Sequence, residues 1–202
     1  MAINHSMKKI LKALSFDGIE VEAARHLASL KAIDPMKIFH KTIDYKIYNG
    51  DYEVPVRIYL PREKVTEDLP VFLFFHGGGW VTDCIDNYER ICARLASATE
   101  HIVVSVEYRL APEHPFPTGF MDCYAVAKAI YTNRFILNVN PQRITLIGDS
   151  AGGNLAAAVS LKARDDGIFK PQRQILIYPA VNNDYSDTSR FQSVKDCGSD
   201  YL

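Results

Sequence analysis

The sequence predicts an α/β protein built on a mostly parallel sheet, and three observations carry that expectation. Short apolar runs alternate with segments long and periodic enough to be helices. Most of those runs are apolar on both faces, as strands covered from above and below must be. Ahead of them lie two stretches of period two, which read as an antiparallel pair rather than as part of the crossover series.

Taken in order, residues Ile19–Leu30 place Val21, Ala24, Leu27, Ala28 and Leu30 on one side at helical spacing. This amphipathic helix stops before Asp34-Pro35 and stands outside the sheet. Thr42–Tyr48 and Val54–Tyr59 are rich in β-branched and aromatic residues, with Asn49-Gly50-Asp51 between them as the turn. Val71–Phe75 (VFLFF), Ile102–Val106 (IVVSV), Ile144–Ile147 (ITLI) and Gln174–Tyr178 (QILIY) are then short strands. Asn87–Thr99, Gly119–Arg134 and Ser150–Arg164 are the helices between them. In such sheets ligands bind beyond the carboxyl ends of the strands, so the residues after each strand matter most. The last run, QILIYP, is apolar enough to need neighbours on both sides. An open edge at 174–178 would favour self-association or pairing with a C-terminal fragment.

Composition narrows the function. A chain of 202 residues, 48% hydrophobic and 23% charged, can bury one real core and is neither disordered nor fibrous. Lys and Arg number 23 against 24 Asp and Glu, so a net charge of -1 offers no field for gathering nucleic acid or an anionic membrane. No segment approaches the roughly 18 continuous apolar residues of a membrane span. Near the N-terminus the run KKILKALSF is broken by Lys12, unlike an export signal, and a cytoplasmic location is expected. Cys84, Cys92, Cys123 and Cys197 show no metal-ligand spacing and read as thiols. The acidic tail Asp184, Asp187, Asp196 and Asp200 reads as solvated loop. No cofactor and no metal are expected.

The chemistry lies at the strand ends. After VFLFF comes His76-Gly77-Gly78-Gly79-Trp80, and after IVVSV comes the stretch Glu107 to Pro117. After ITLI comes Gly148-Asp149-Ser150-Ala151-Gly152-Gly153-Asn154, which opens a helix. A tight strand–turn–helix crowds the backbone around Ser150 and demands small neighbours, lifting the hydroxyl above the sheet. The Ala151 amide points into the same space at a helix N-terminus. An ester or amide attacked by a serine becomes a tetrahedral oxyanion, which needs two or three N–H donors. Gly78 and Gly79, and less securely Gly77, together with Ala151 can supply them. No phosphate-binding GxGxxG or GxxxxGK[ST] occurs in the sequence.

HGGGW at 76–80, YRLAPEHPFP at 108–117 and GDSAGGNL at 148–155 together resemble the hormone-sensitive-lipase-like carboxylesterases of the α/β-hydrolase fold, the bacterial acetyl esterase type. The resemblance implies Ser150 as nucleophile, Gly78, Gly79 and Ala151 as oxyanion hole, and a small acyl ester as substrate. It also implies residues 1–40 as a cap region over the acyl pocket and 41–202 as the hydrolase core. Glu107 stands where relatives often have Asp. The larger departure is that no histidine follows Ser150, whereas the triad order of this fold is Ser, then Asp or Glu, then His. The acid and histidine are therefore expected outside this chain, which reads as lacking the family's C-terminal third.

Plainer roles stand beside these. Ser150 could simply cap its helix. His76 and His114 suit loop bracing better than a catalytic base, and Asp149, Glu113 and Asp122 suit bracing better than a triad role. Trp80 could touch substrate or pack over the glycine loop. The leading expectation is a serine carboxylesterase for short-chain acyl esters, with the chain alone weakly active at most. The competing readings are a non-catalytic ligand-binding protein on the same scaffold, favoured by the missing histidine, and an inactive fragment.

Overall fold

Gly50 and Asp51 reverse the chain between β1 (Thr42–Asn49) and β2 (Tyr52–Tyr59), which pair antiparallel from Thr42↔Tyr59 to Asn49↔Tyr52. The structure, a computed structural model, describes residues 21–22, 25–26, 42–61, 69–137 and 139–181. After the hairpin come β3 (Val71–Phe75), α1 (Ile85–Thr99), β4 (Ile102–Val106) and α2 (Thr118–Tyr131). A 3-10 turn at Pro141–Arg143 leads into β5 (Ile144–Asp149), α3 (Ala151–Asp166) and β6 (Arg173–Ile177).

The described strands form one sheet in the order β1-β2-β4-β3-β5-β6. The pairs β1/β2 and β2/β4 are antiparallel, while β4, β3, β5 and β6 run parallel. β3, β4 and β5 are buried at every residue, as their apolar runs require. Alternation along β3 divides its side chains between two layers. Phe72 and Phe74 face α1, packing with Cys92, Ala93 and Ala96. Leu73 and Phe75 lie in the larger cluster with Val126, Ala127 and Ile130 of α2 and Leu155, Ala156 and Val159 of α3.

The helices thus lie on opposite faces because the crossovers run in opposite directions. From β3 the chain moves to β4 on one side, and from β5 to β6 on the other. The carboxyl ends of adjacent β3 and β5 therefore flank a crevice, the usual place for a ligand in an open α/β sheet.

Boundaries differ from the sequence reading where long-range partners extend or trim an element. β2 begins at Tyr52 because that residue pairs with Asn49. α1 begins at Ile85, whose N–H donates to Glu107 Oε2 at 2.7 Å. The carboxylate expected as a variant strand-end residue is thus the cap that helix α1 lacks from its own Cys84 side chain. β6 is the clearest correction. It spans Arg173–Ile177 rather than Gln174–Tyr178, and it is largely exposed, with Ile175 41% and Ile177 37% accessible. It has β5 on one side and, among the described residues, no strand on the other.

Of the segment expected as an amphipathic helix, Val21, Glu22, Arg25 and His26 are helical. The remainder of that helix lies outside the described residues, as do His5, His40, Cys197 and the acidic tail. No helix among the described residues is long and apolar enough to cross a membrane.

Leu73 is fully buried at the centre of the sheet. Leu73→Ala should cost about 2–5 kcal/mol in a urea-unfolding measurement. Ile91→Ala, on the exposed side of α1, should stay within about 0.5 kcal/mol.

Candidate active site

Ser150 stands between the last residue of β5 and the first of α3, with φ 50° and ψ -116°. A non-glycine residue in that region costs on the order of 1–3 kcal/mol, so the surroundings must impose it. They do so through the backbone. The Ser150 N–H donates to Ile177 O at 2.9 Å, while the Ser150 carbonyl accepts from Asn154 and Ala180, each at 3.1 Å. Gly152 lies so close to the Phe75 and His76 carbonyls that any Cβ there would collide with both. The helix can start against β3 only with glycine at that place. The side chain of Ser150 makes no capping hydrogen bond to α3, so the helix-cap role does not describe it. Its hydroxyl sits half-buried beside the N-terminal amides of α3, where negative charge is favoured.

The glycine loop leaves β3 next to this turn. Gly78, Gly79 and Trp80 all have positive φ, at 106°, 61° and 62°. The Gly78 carbonyl accepts from Val81 N–H at 3.1 Å, Thr82 N–H at 2.9 Å and the Thr82 hydroxyl at 3.0 Å. A side chain at Gly78 would run into the Thr82 backbone carbonyl, so this closed turn also requires glycine. Gly77 differs from its neighbours. Its N–H donates to Asp149 Oδ1 at 3.0 Å and to the Tyr88 hydroxyl at 3.2 Å, so that amide is committed inside the protein.

His76 is fully buried and stacked on Tyr108 with ring centres 4.3 Å apart. Its Nδ1 lies 2.8 Å from the Gly77 carbonyl, which can only accept, so Nδ1 carries the proton. Burial lowers its pKa to about 4 and the ring stays neutral. Tyr108 also donates to the His76 carbonyl at 2.8 Å, bracing the same loop. Asp149 is buried and accepts from Gly77 and from the Tyr88 hydroxyl at 2.8 Å. Burial raises its pKa, and the accepted hydrogen bonds oppose that rise.

The other carboxylates are engaged away from Ser150. Asp122 accepts from Arg109 Nε at 2.9 Å, Arg109 Nη at 2.7 Å, Arg109 N–H at 3.1 Å and Asn49 at 2.7 Å. This joins the tip of the hairpin to the loop after β4. Glu113 forms a two-pronged pair with Arg25, at 2.7 and 2.8 Å, whose guanidinium holds the carboxyl down to about 2. Arg25 also donates to the carbonyls of Val81 at 2.9 Å and Ala111 at 3.0 Å. One arginine thus ties the helical N-terminal residues to both loops at the strand ends.

A cavity of about 440 Å3 opens beside Gly79, walled by Trp80, Phe116, Phe120 and Leu155, with the exposed His114 at its rim. Trp80 is 40% exposed and Phe116 86%, both unusually open for their size. The strand-end motifs meet at two places: Gly79 and Trp80 line the cavity with Asn154 and Leu155 of α3, and Gly77 is bonded to Asp149, the residue before Ser150. His76, Asp149 and Glu113 brace these loops. Two residues had no signal in the sequence reading: Tyr88, half-buried in the first turn of α1, and Arg25, one charge on an amphipathic segment.

A family model described as the alpha/beta hydrolase fold matches residues 72–202. The carboxylesterase NlhH of Mycobacterium tuberculosis is 40% identical over 174 residues, covering 84% of this chain and 53% of that protein. An arylesterase of Saccharolobus solfataricus is 37% identical over 174 residues, covering 86% of this chain and 55% of its own length. The chain therefore spans about half the length of these relatives. Among solved structures, the Pyrobaculum calidifontis esterase superposes with a TM-score of 0.78 at 35% identity, covering 99% of this chain and 65% of that one. A structure titled as an arylesterase gives 0.80 at 32% identity, covering 98% and 67%. With fold, strand-end loops and sequence in agreement, the chain belongs to the hormone-sensitive-lipase-like family of the α/β-hydrolase fold.

Proposed function

We propose that this chain carries the nucleophile and oxyanion hole of a serine carboxylesterase acting on short-chain acyl esters. The observation that carries the reading is the strained turn at Ser150, held at the N-terminus of α3 beside the glycine loop. That relatives are a carboxylesterase and an arylesterase supports the same class of reaction. Ser150 Oγ attacks the ester carbonyl carbon, and the carbonyl oxygen becomes an oxyanion between the amides of Gly78, Gly79 and Ala151. Collapse of that intermediate expels the alcohol and leaves an acyl-serine. Water then adds to the acyl carbon, and the acid departs with Ser150 restored.

The proton of Ser150 needs an acceptor. No histidine follows Ser150, and His76 is buried, with a lowered pKa and a bond to its own loop. We assign the base and its carboxylate partner to residues outside these 202. The segment 1–40 is read as a cap over the acyl pocket, supported by the grip of Arg25 on the two strand-end loops. The cavity of about 440 Å3 suits acetyl to hexanoyl chains better than long ones. Thiols at Cys84, Cys92 and Cys123 fit a cytoplasmic setting. The missing histidine favours one second reading, a binding protein that keeps the pocket without turnover.

Two outcomes separate these readings. In the full-length protein, Ser150→Ala should abolish p-nitrophenyl acetate hydrolysis, and Gly78→Ala should lower kcat on the order of 10²–10³-fold. A protein that binds short esters without hydrolysing them would establish the binding reading instead. Arg25→Ala should release the cap and flatten the preference for acetyl to hexanoyl over longer nitrophenyl esters. An unchanged chain-length profile would confine that arginine to packing.

A further inference from the structure

Gly77, Tyr88 and Asp149 form a closed triangle of hydrogen bonds below the crevice. The Gly77 N–H reaches Asp149 Oδ1 at 3.0 Å and the Tyr88 hydroxyl at 3.2 Å, and that hydroxyl donates to Asp149 Oδ2 at 2.8 Å. The three corners come from three elements: the loop after β3, the first turn of α1, and the last residue of β5. Their place in the chain matters as much as their contacts. Gly77 directly precedes the two glycines whose amides we assign to the oxyanion hole, and Asp149 directly precedes Ser150. The triangle is therefore the nearest side-chain link between the two halves of the hole.

We propose that Tyr88 and Asp149 are positioning residues that set the Gly78 and Gly79 amides at the right distance from Ser150, a role that rests on the esterase reading. Oxyanion donors work only about 2.7–3.1 Å from the developing oxygen. A displacement of about 1 Å is enough to cost roughly 100-fold in rate. The triangle has little slack. A methyl group on Gly77 would lie 2.6 Å from Asp149 Oδ2 and 3.0 Å from the Tyr88 hydroxyl. Since Gly77 has no positive φ, it is these two side chains, not the backbone, that demand glycine there. Asp149 also keeps a carboxylate in a buried place, which a mere packing contact does not need. Tyr178, after β6, approaches the same carboxylate at 3.5 Å and adds a weaker fourth contact.

The test uses the full-length protein, p-nitrophenyl butyrate as substrate and butylboronic acid as a tetrahedral mimic that bonds to the serine. Tyr88→Phe deletes one hydroxyl. It should lower kcat about 10–100-fold with KM changed less than about twofold. The affinity for butylboronic acid should fall by a similar factor. Asp149→Leu, of similar size, removes the acceptors for both Gly77 and Tyr88, and should show the same split. Thermal unfolding of each variant identifies one that fails to fold, and the folded variant then decides. Wild-type kcat and boronate affinity in a folded variant, or a loss confined to KM, would overturn the positioning role. No turnover by the wild-type protein would overturn the esterase reading itself, and the positioning role with it.

Discussion

The parallel pairing of β3 with β5 is the constraint on which the rest of the site depends. Phe75 and Gly148 are partners in that register, so the glycine loop and the Ser150 turn leave the sheet at the same level. Opposite crossovers then carry α1 to one face and α3 to the other, which keeps the crevice between the two strand ends open. A one-residue slip would turn Phe72 and Phe74 away from α1 and put Leu73 in their place. The same slip would separate Gly77 from Asp149. Core packing and site geometry are thus fixed by one register.

Around that pair, polar side chains do the work of linking loops, and each carboxylate has its own task. Glu107 caps α1, Asp122 fastens the hairpin tip, Glu113 receives Arg25, and Asp149 binds the glycine loop. Asp122 and Asp149 are buried and Glu107 is half-buried, while Asp122 and Glu113 are the ones paired with arginine. The cavity beside Gly79 is walled mostly by apolar side chains, with Trp80 and Phe116 among the exposed ones.

Much of this was legible in the residues. VFLFF and IVVSV gave strand limits that the structure matches residue for residue, because strands buried on both faces carry an unbroken apolar run. Ser150 and the glycine loop were legible because tight turns leave a local record of small residues. What escaped depends on distant neighbours. Tyr88 belongs to the site only because α1 lies under the loop after β3, and nothing within its own helix says so. Arg25 is one of several charges until Val81, Ala111 and Glu113 are brought to it. Gly77 looked like its two neighbours, and only its partners give it a separate task. The apolar run of β6 read as a strand wanting neighbours on both sides with its edge left open, and among the described residues β6 is the edge strand.

The central place of β3 has a consequence for the order in which the chain acquires its shape. Gly77 and Asp149 lie 72 residues apart, so the link between them closes one of the longer loops in the fold. During synthesis the hairpin, β3 and β4 emerge first, and the wholly apolar VFLFF strand then has β4 on one side and an open edge on the other. Only the arrival of β5 covers that edge, and the same event brings Ser150 to the glycine loop. The nascent protein is therefore most prone to aggregate during the interval before Ser150 is in place, and bringing the two strand-end loops together and covering the apolar edge are a single step.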